Sequence, residues 1–458
     1  MKKLPLSGEP EILKKLEKIA EKDFEPQCGK LFGHIYNAKL FDLIEVAKKA
    51  YLIFMDKTML DFTIYPSILT LENEIVAMTA SLLNGDENVV GNFTYGGTES
   101  IMLAVKSARE KFRQERVGTP EIVLPLTAHP AFIKSAQYLG LKVVRTSVDE
   151  NFRANPDDIA EAISDKTAMV VCSAPNYPFG CVDDVKSIAE ITNGKIWLHV
   201  DACMGGFILP FVKKLGDKIT EFDFGIENVF SISSDLHKYG YAPRGASLIL
   251  YRSPELRKGQ IFVNASWHGY PIVNTAVLST RSAGTLAASY AVMCYLGEEG
   301  YLRLTEKVLK TRKKIENFLK EIGFEVLGIP EAGIISFTSS KVNIFRLSKL
   351  MAERGWYIQV QPGSKKLGFP KSIHLTVNPS HELILDQFFE DLEDCSQKAG
   401  EPIELDETKI FEILSSLKFE RGKLPDLTMV NELINLSDPE FVEDMLLNFV
   451  NNYIFRPL

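Results

Sequence analysis

The chain has 458 residues, 45% hydrophobic and 24% charged, enough apolar material for a large buried core and two or three domains. With 60 acidic residues against 52 basic ones the formal net charge is -8, a balance that gives no support to nucleic-acid binding. The six cysteines (Cys28, Cys172, Cys181, Cys203, Cys294 and Cys395) form no CxxC pair, so neither a metal site nor a disulfide framework is expected and they read as reduced thiols.

The opening segment MKKLPLSGEPEILKKLEKIAEKDF has no apolar core of leader type, and no stretch reaches the roughly 18 apolar residues needed to span a bilayer. A cytoplasmic chain without a transmembrane segment is the expectation. Residues 1–55 read as a polar helix, a loop and an amphipathic helix, LFDLIEVAKKAYLIF. A helix around LENEIVAMTASLL follows. From there to about residue 252 strands and helices alternate. EIVLPL, LKVVRTSV, TAMVVCSA, KIWLHVDA, NVFSIS and ASLILY read as strands; ESIMLAVKSAREKF, AFIKSAQYL and DDIAEAI lie between them with helical pattern. This alternation implies an α/β fold with a mostly parallel sheet covered on both faces, in a large domain over 56–298. A long helical region from about residue 283 leads to a small C-terminal α+β domain, 299–398. Its segments FEVLGI, GIISFTS, WYIQVQP and SIHLTVN alternate with helical ones. A helical tail, 399–458, includes ETKIFEILSSLKF and PEFVEDMLLNFVNNYI and is expected to dock by its apolar stripe.

Four segments carry chemistry. In KIWLHVDACMGG, Asp201 ends a strand of buried character, where ligands of open α/β sheets bind. A carboxylate at an apolar strand mouth is costly unless a cation or donors meet it, and a protonated pyridine nitrogen is such a cation. The same aspartate would also serve as a turn cap before Gly205-Gly206. In NVFSISSDLHKYGYAPRGASLILY, Lys238 lies 37 positions after Asp201, follows a strand end and is flanked by Tyr239 and Tyr241. Desolvation is expected to lower its pKa and make it an imine-forming amine; the competing reading is a solvated loop lysine. In FTYGGTESIMLAVKSAREKF, Gly96 and Gly97 precede a helix whose N-terminus, with Thr98 and Ser100, would cup a phosphate or simply make a tight turn. In LTAHPAFIKSA, His129 follows a strand and could stack on a flat ring or remain a loop residue.

GGTES, HVDACMGGF and DLHKYGYAPRGASLILYR, with WHGYPIVNTAVLSTRSAG behind them, resemble fold-type-I enzymes dependent on pyridoxal 5'-phosphate, of the group II decarboxylase superfamily. The sphingosine-1-phosphate lyase family is the most similar branch, from about residue 30 to 395. The resemblance implies pyridoxal phosphate as cofactor and a homodimer with shared active sites. It implies Lys238 as the Schiff-base lysine, Asp201 on the pyridine nitrogen and His129 stacked on the ring. Gly97, Thr98 and His237 would contact the cofactor phosphate, and Thr280 and Ser282 would reach a neighbouring subunit's cofactor. Tyr36, in HIYNA, would lie near the substrate phosphate. Three positions depart from the family pattern. Tyr65 stands where a histidine is usual, Arg244 where a lysine is, and Ser282 where a proline is. Tyr65 and Arg244 fall at the substrate end, where a guanidinium still binds phosphate or carboxylate.

The implied reaction is cleavage of the Cα–Cβ bond of a phosphorylated long-chain amine. Tyr36, Tyr65, His237, Lys238, Tyr239 and Tyr241 stand as proton carriers. The rival is an L-amino-acid α-decarboxylase using the same Lys, Asp and His, which Tyr65 favours. A silent cofactor-binding scaffold is a third class, opposed by the intact Lys238, Asp201 and His129.

Overall fold

The computed structural model describes residue 4 and residues 7–21, 23–25, 28–402 and 427–454. Its centre is a seven-stranded sheet of β1 (Val90–Thr94), β2 (Glu121–Pro125), β3 (Lys142–Thr146), β4 (Thr167–Ser173), β5 (Trp197–Asp201), β6 (Val229–Ser234) and β7 (Ser247–Tyr251), in the order β1-β7-β6-β5-β4-β2-β3. The strands β6, β5, β4, β2 and β3 are parallel; β7 runs against both β6 and β1. Every residue of β2, β4, β5 and β7 is buried, as their near-continuous apolar runs require of strands covered on both faces. The edge strand β3 is half-exposed. All six strands read from the sequence form. β1 was not legible, because Gly91 and Asn92 break its apolar run. Gly91 is needed there: a Cβ would stand 2.6 Å from the Ile249 carbonyl oxygen on β7.

The reversal of β7 has a local cause. The chain joins β6 to β7 through a short loop, not a helical crossover, and such a connection yields antiparallel partners. That loop carries Lys238. Six of the seven strands therefore point their C-terminal ends at one edge. From that edge emerge Gly96 after β1, His129 after β2, Asp201 on β5 and Asp235 after β6.

A hairpin of β8 (Phe262–Asn264) and β9 (Ile272–Asn274) follows, which the sequence reading did not contain. The helix Gly284–Glu321 then packs along the helix Phe41–Phe54, with one non-helical residue, Gly297, at φ 54°. Beyond it lies an antiparallel four-stranded sheet of β10 (Glu325–Leu327), β11 (Ile334–Thr338), β12 (Gln359–Gln361) and β13 (Ser372–Thr376), ordered β10-β11-β13-β12. The helices Ile344–Glu353 and Leu385–Ala399 follow the expected segments. In the tail, ETKIFEILSSLKF lies outside the described residues. The helix Leu427–Leu436 docks through buried Leu433, an ion pair from Glu432 to Lys371, and Asn435, whose amide donates to the Pro362 carbonyl at 2.8 Å.

Leu198 sits fully buried in β5, at the middle of the large sheet. Leu198→Ala is expected to cost about 2–5 kcal/mol, read as a lower midpoint in chemical denaturation. A midpoint equal to the wild type would contradict the packing described.

Candidate active site

A cavity of about 560 Å³ opens at the strand edge, lined by Tyr95, Gly96, Gly97, Thr98, His129, Asp201, Cys203, Asp235, His237 and Lys238, with Val277 and Leu278 from the segment after β9. The structure thus brings together six of the residues expected for the cofactor: Gly97, Thr98, His129, Asp201, His237 and Lys238. It does not bring Thr280 or Ser282 into this lining. Thr280 is exposed. The Ser282 hydroxyl donates to the Met55 carbonyl at 2.7 Å and accepts from the Gly284 backbone N–H at 3.1 Å, fastening the start of the helix Gly284–Glu321. Tyr65 lies at the start of the helix Ser67–Leu82, apart from this lining.

Asp201 is held from one side. Its Oδ1 accepts from the Cys203 backbone N–H and from the Ser233 hydroxyl, both at 3.1 Å, whereas Oδ2 accepts no bond from the described residues. Lys238 Nζ lies 3.1 Å from Asp235 Oδ2. Burial disfavours the ammonium, but the nearby Asp235 carboxylate outweighs it and raises the pKa of Lys238. The expected lowering is therefore corrected. Desolvation acts as anticipated, and a buried partner carboxylate reverses the outcome. Burial likewise works against the Asp235 carboxylate, but Lys238 and His237 hold its pKa below the ordinary value.

His129 is open to the cavity, and burial of the surrounding site lowers its pKa, so the ring is neutral and can stack. Its Nδ1 accepts the Ala131 backbone N–H at 3.2 Å, which leaves the proton on Nε2. His237 Nδ1 donates to the Ala246 carbonyl at 2.6 Å.

Tyr36 and Arg244 form a second cluster beside the cavity. The Tyr36 hydroxyl donates to Met204 Sδ at 3.1 Å, and the Arg244 guanidinium lies 5.5 Å from the Tyr36 ring centre. Burial raises the Tyr36 pKa, against the pull of Lys238, so the phenol is a proton donor at neutral pH. The Tyr239 hydroxyl, fully buried, donates to the Val377 carbonyl at 3.0 Å, and the Tyr241 ring is buried against Tyr301.

Asp235 and Tyr177, both near Lys238, had no role in the sequence reading. Asp235 stands three places before Lys238 in SSDLHK, one helical-turn spacing from it. Tyr177, in the turn after β4, shares a small gap with Lys238 and His129; its ring stacks on His374 at 4.3 Å and its hydroxyl donates to Gln359 at 2.6 Å. The rule that found Asp201, a polar residue just past the C-terminal end of a buried strand, also points to Tyr177.

The site has the fittings for a flat, phosphorylated, cationic ring. A Cβ on Gly97 would stand 2.8 Å from Cys203 Sγ and 3.0 Å from both Asp235 oxygens, so only glycine fits at this turn. The Glu99 and Ser100 N–H groups bond the Gly96 carbonyl, which leaves those of Gly97 and Thr98, at the start of the helix Gly97–Glu115, free of a backbone acceptor among the described residues and placed to face an anion. Asp235 Oδ1 is buried without a partner among the described residues. These features define an α/β enzyme of the fold-type-I class. The sequence profile of the pyridoxal-dependent decarboxylase conserved domain matches residues 34–340. Sphingosine-1-phosphate lyase of Arabidopsis thaliana is 36% identical over 442 residues, covering 94% of this chain and 79% of that protein. Sphingosine-1-phosphate lyase 1 of Rattus norvegicus is 38% identical over 399 residues, covering 86% and 69%. The structure of a Burkholderia pseudomallei sphingosine-1-phosphate lyase superposes with a TM-score of 0.82 at 32% identity, covering 87% of this chain and 93% of that one. The chain belongs to the pyridoxal-dependent decarboxylase family and, within it, to the sphingosine-1-phosphate lyase family. Its cofactor is pyridoxal phosphate.

The Lys238 amine must lose its proton before it can attack the cofactor's aldehyde. Because Asp235 raises its pKa, uptake of pyridoxal phosphate by the cofactor-free protein is expected to accelerate as pH rises. Asp235→Asn removes the nearest counter-charge and should move that profile to lower pH, measured by visible absorbance after mixing. An unmoved profile would show that Asp235 does not hold the proton.

Proposed function

We propose that this chain cleaves the Cα–Cβ bond of a phosphorylated long-chain base such as sphingosine 1-phosphate, releasing a fatty aldehyde and phosphoethanolamine. The observation that carries the reading is the pairing of an intact cofactor pocket with the adjacent Tyr36 and Arg244 cluster, in a chain whose curated relatives are lyases of that name. When bound, pyridoxal phosphate supplies an electron sink for the pair released as the bond breaks. Asp201 Oδ2 is the acceptor that keeps a proton on the ring nitrogen. Neutral His129 offers a flat face. Gly97, Thr98 and His237 hold the phosphate end. Lys238 Nζ, when not bonded to the cofactor, sits beside Asp235 as a proton carrier. The Tyr36 phenol donates to an anionic substrate group, and the Arg244 guanidinium supplies the charge that matches a phosphate. Tyr65 lies outside this lining, and we assign it to the substrate end of a neighbouring subunit's site.

A homodimer with shared sites fits the surface. Trp267, Tyr270, Val277 and Leu278 expose large apolar area on the segment beside the cavity, and Thr280 and Ser282 follow directly. No helix among the described residues is long and apolar enough to cross a membrane. We place the protein in the cytoplasm and keep the divisions near residues 55, 298 and 398 as its domain boundaries.

Incubating the holoenzyme with sphingosine 1-phosphate should release fatty aldehyde and phosphoethanolamine in equal amounts without CO2. Carbon dioxide from an L-amino acid, with the phospholipid inert, would move the chain to α-decarboxylation and leave the cofactor pocket standing. Lys238→Ala should abolish turnover; Asp201→Asn should lower kcat by on the order of 100-fold, since a charge aimed at the reacting centre is lost.

A further inference from the structure

The alternation of a β-strand places Trp197, His199 and Asp201 on one face of β5, and Ser231 and Ser233 on the matching face of β6. The register makes His199 the partner of Ser231 and Asp201 the partner of Ser233. A continuous chain of hydrogen bonds results. Trp197 Nε1 donates to Ser231 Oγ at 2.8 Å; Ser231 Oγ lies 2.8 Å from His199 Nδ1; His199 Nε2 lies 3.2 Å from Ser233 Oγ; and Ser233 Oγ donates to Asp201 Oδ1 at 3.1 Å. Trp197 is 2% exposed, while Ser231, His199 and Ser233 are fully buried, so water does not compete at any link.

The direction of the chain is forced from both ends. An indole nitrogen only donates, and a carboxylate only accepts. Ser233 must therefore aim its hydroxyl at Asp201 and accept from His199 Nε2–H, and the neutral ring then accepts at Nδ1 the hydrogen bond that the Ser231 hydroxyl donates. Burial pushes the His199 pKa down to about 4, so the ring joins as a neutral dipole. The Phe132 ring packs edge-on against it at 5.6 Å and limits its rotation. Every dipole then presents its positive end toward Oδ1. Together with the Cys203 backbone N–H this fills Oδ1 and turns Oδ2 toward the cavity.

We propose that Trp197, Ser231, His199 and Ser233 act as positioning residues, a polarised chain that sets the orientation of the Asp201 carboxylate and thereby its grip on the cofactor's ring nitrogen. This rests on the cofactor assignment, not on the identity of the substrate. None of the four touches substrate, so their loss should lower kcat with KM little changed. The effect should also be graded by distance along the chain, because each further link acts through the one before it.

The test uses Ser233→Ala, Ser233→Thr, His199→Phe and Trp197→Phe. Readouts are the dissociation constant for pyridoxal phosphate added to cofactor-free protein, the visible absorbance of the loaded protein, and steady-state kcat and KM. Ser233→Ala should weaken cofactor binding on the order of tenfold, as for loss of a hydrogen bond to a charged group. It should also alter the absorbance and lower kcat. Ser233→Thr keeps the hydroxyl and should restore all three. His199→Phe should fall between Ser233→Ala and wild type, and Trp197→Phe should be mildest. Equal effects from Ser233→Ala and Ser233→Thr would reduce the chain to packing and overturn the proposal, as would wild-type affinity and absorbance in Ser233→Ala. If His199→Phe does not fold, the comparison of the two Ser233 variants decides alone. A wild-type protein that takes up no pyridoxal phosphate would overturn the cofactor assignment and this inference with it; normal uptake with unshifted variants would overturn this inference only.

Discussion

Asp201 and Asp235 bring two carboxylates to one edge of a buried sheet, and among the described residues only one lysine or arginine, Lys238, stands within ion-pair reach of either. Burying charge in that ratio is expensive unless further positive charge or donors arrive. Asp235 takes the ammonium. Asp201 is left with a backbone N–H and a serine hydroxyl on one oxygen and an open second oxygen. A protonated ring nitrogen meets that need, and a phosphate meets the opposite one at the start of the helix Gly97–Glu115. The pocket is therefore complementary at two ends to one molecule that is cationic on its ring and anionic on its arm. The sheet topology, with six strand ends facing one way and β7 reversed by the lysine loop, is what holds those ends at a fixed separation.

Much of this was legible in the sequence, for reasons that differ by element. The fully buried strands announce themselves as apolar runs, and Asp201 and His129 stand out as polar residues just beyond them. Gly96-Gly97 before a strongly periodic helix was likewise readable. What the sequence concealed depends on pairing across the fold. β1 contains glycine and asparagine and is a strand only because β7 pairs with it. Asp235 was in plain view three residues before Lys238, but its effect on the lysine pKa needs burial and a distance. Composition suggests desolvation, and only geometry shows the counter-charge that outweighs it. The chain from Trp197 to Asp201 was hidden for the same reason. Its residues alternate visibly along β5, yet the two serines that join them belong to β6, and the register between the strands is not written in either segment.

The substrate end is less tightly determined by the chain's own residues than the cofactor end. Tyr36 and Arg244 stack beside the cavity, while Thr280, Ser282 and Tyr65 lie outside its lining. In the proposed homodimer a second copy of the chain supplies what the single copy lacks there and covers the exposed apolar side chains Trp267, Tyr270, Val277 and Leu278. Arg244 sits with Tyr36 beside the cavity, apart from the lining that holds Lys238 and Asp201.

The central claim is that Lys238 bonds the cofactor within the Asp201 pocket. Reducing the holoenzyme with borohydride fixes pyridoxal phosphate to the amine that holds it, and peptide mass mapping then locates the added group. The account predicts a single modified peptide with the label on Lys238, and no label on the Lys238→Ala protein. A label on another lysine in the wild type, or an undiminished label in the variant, would contradict it.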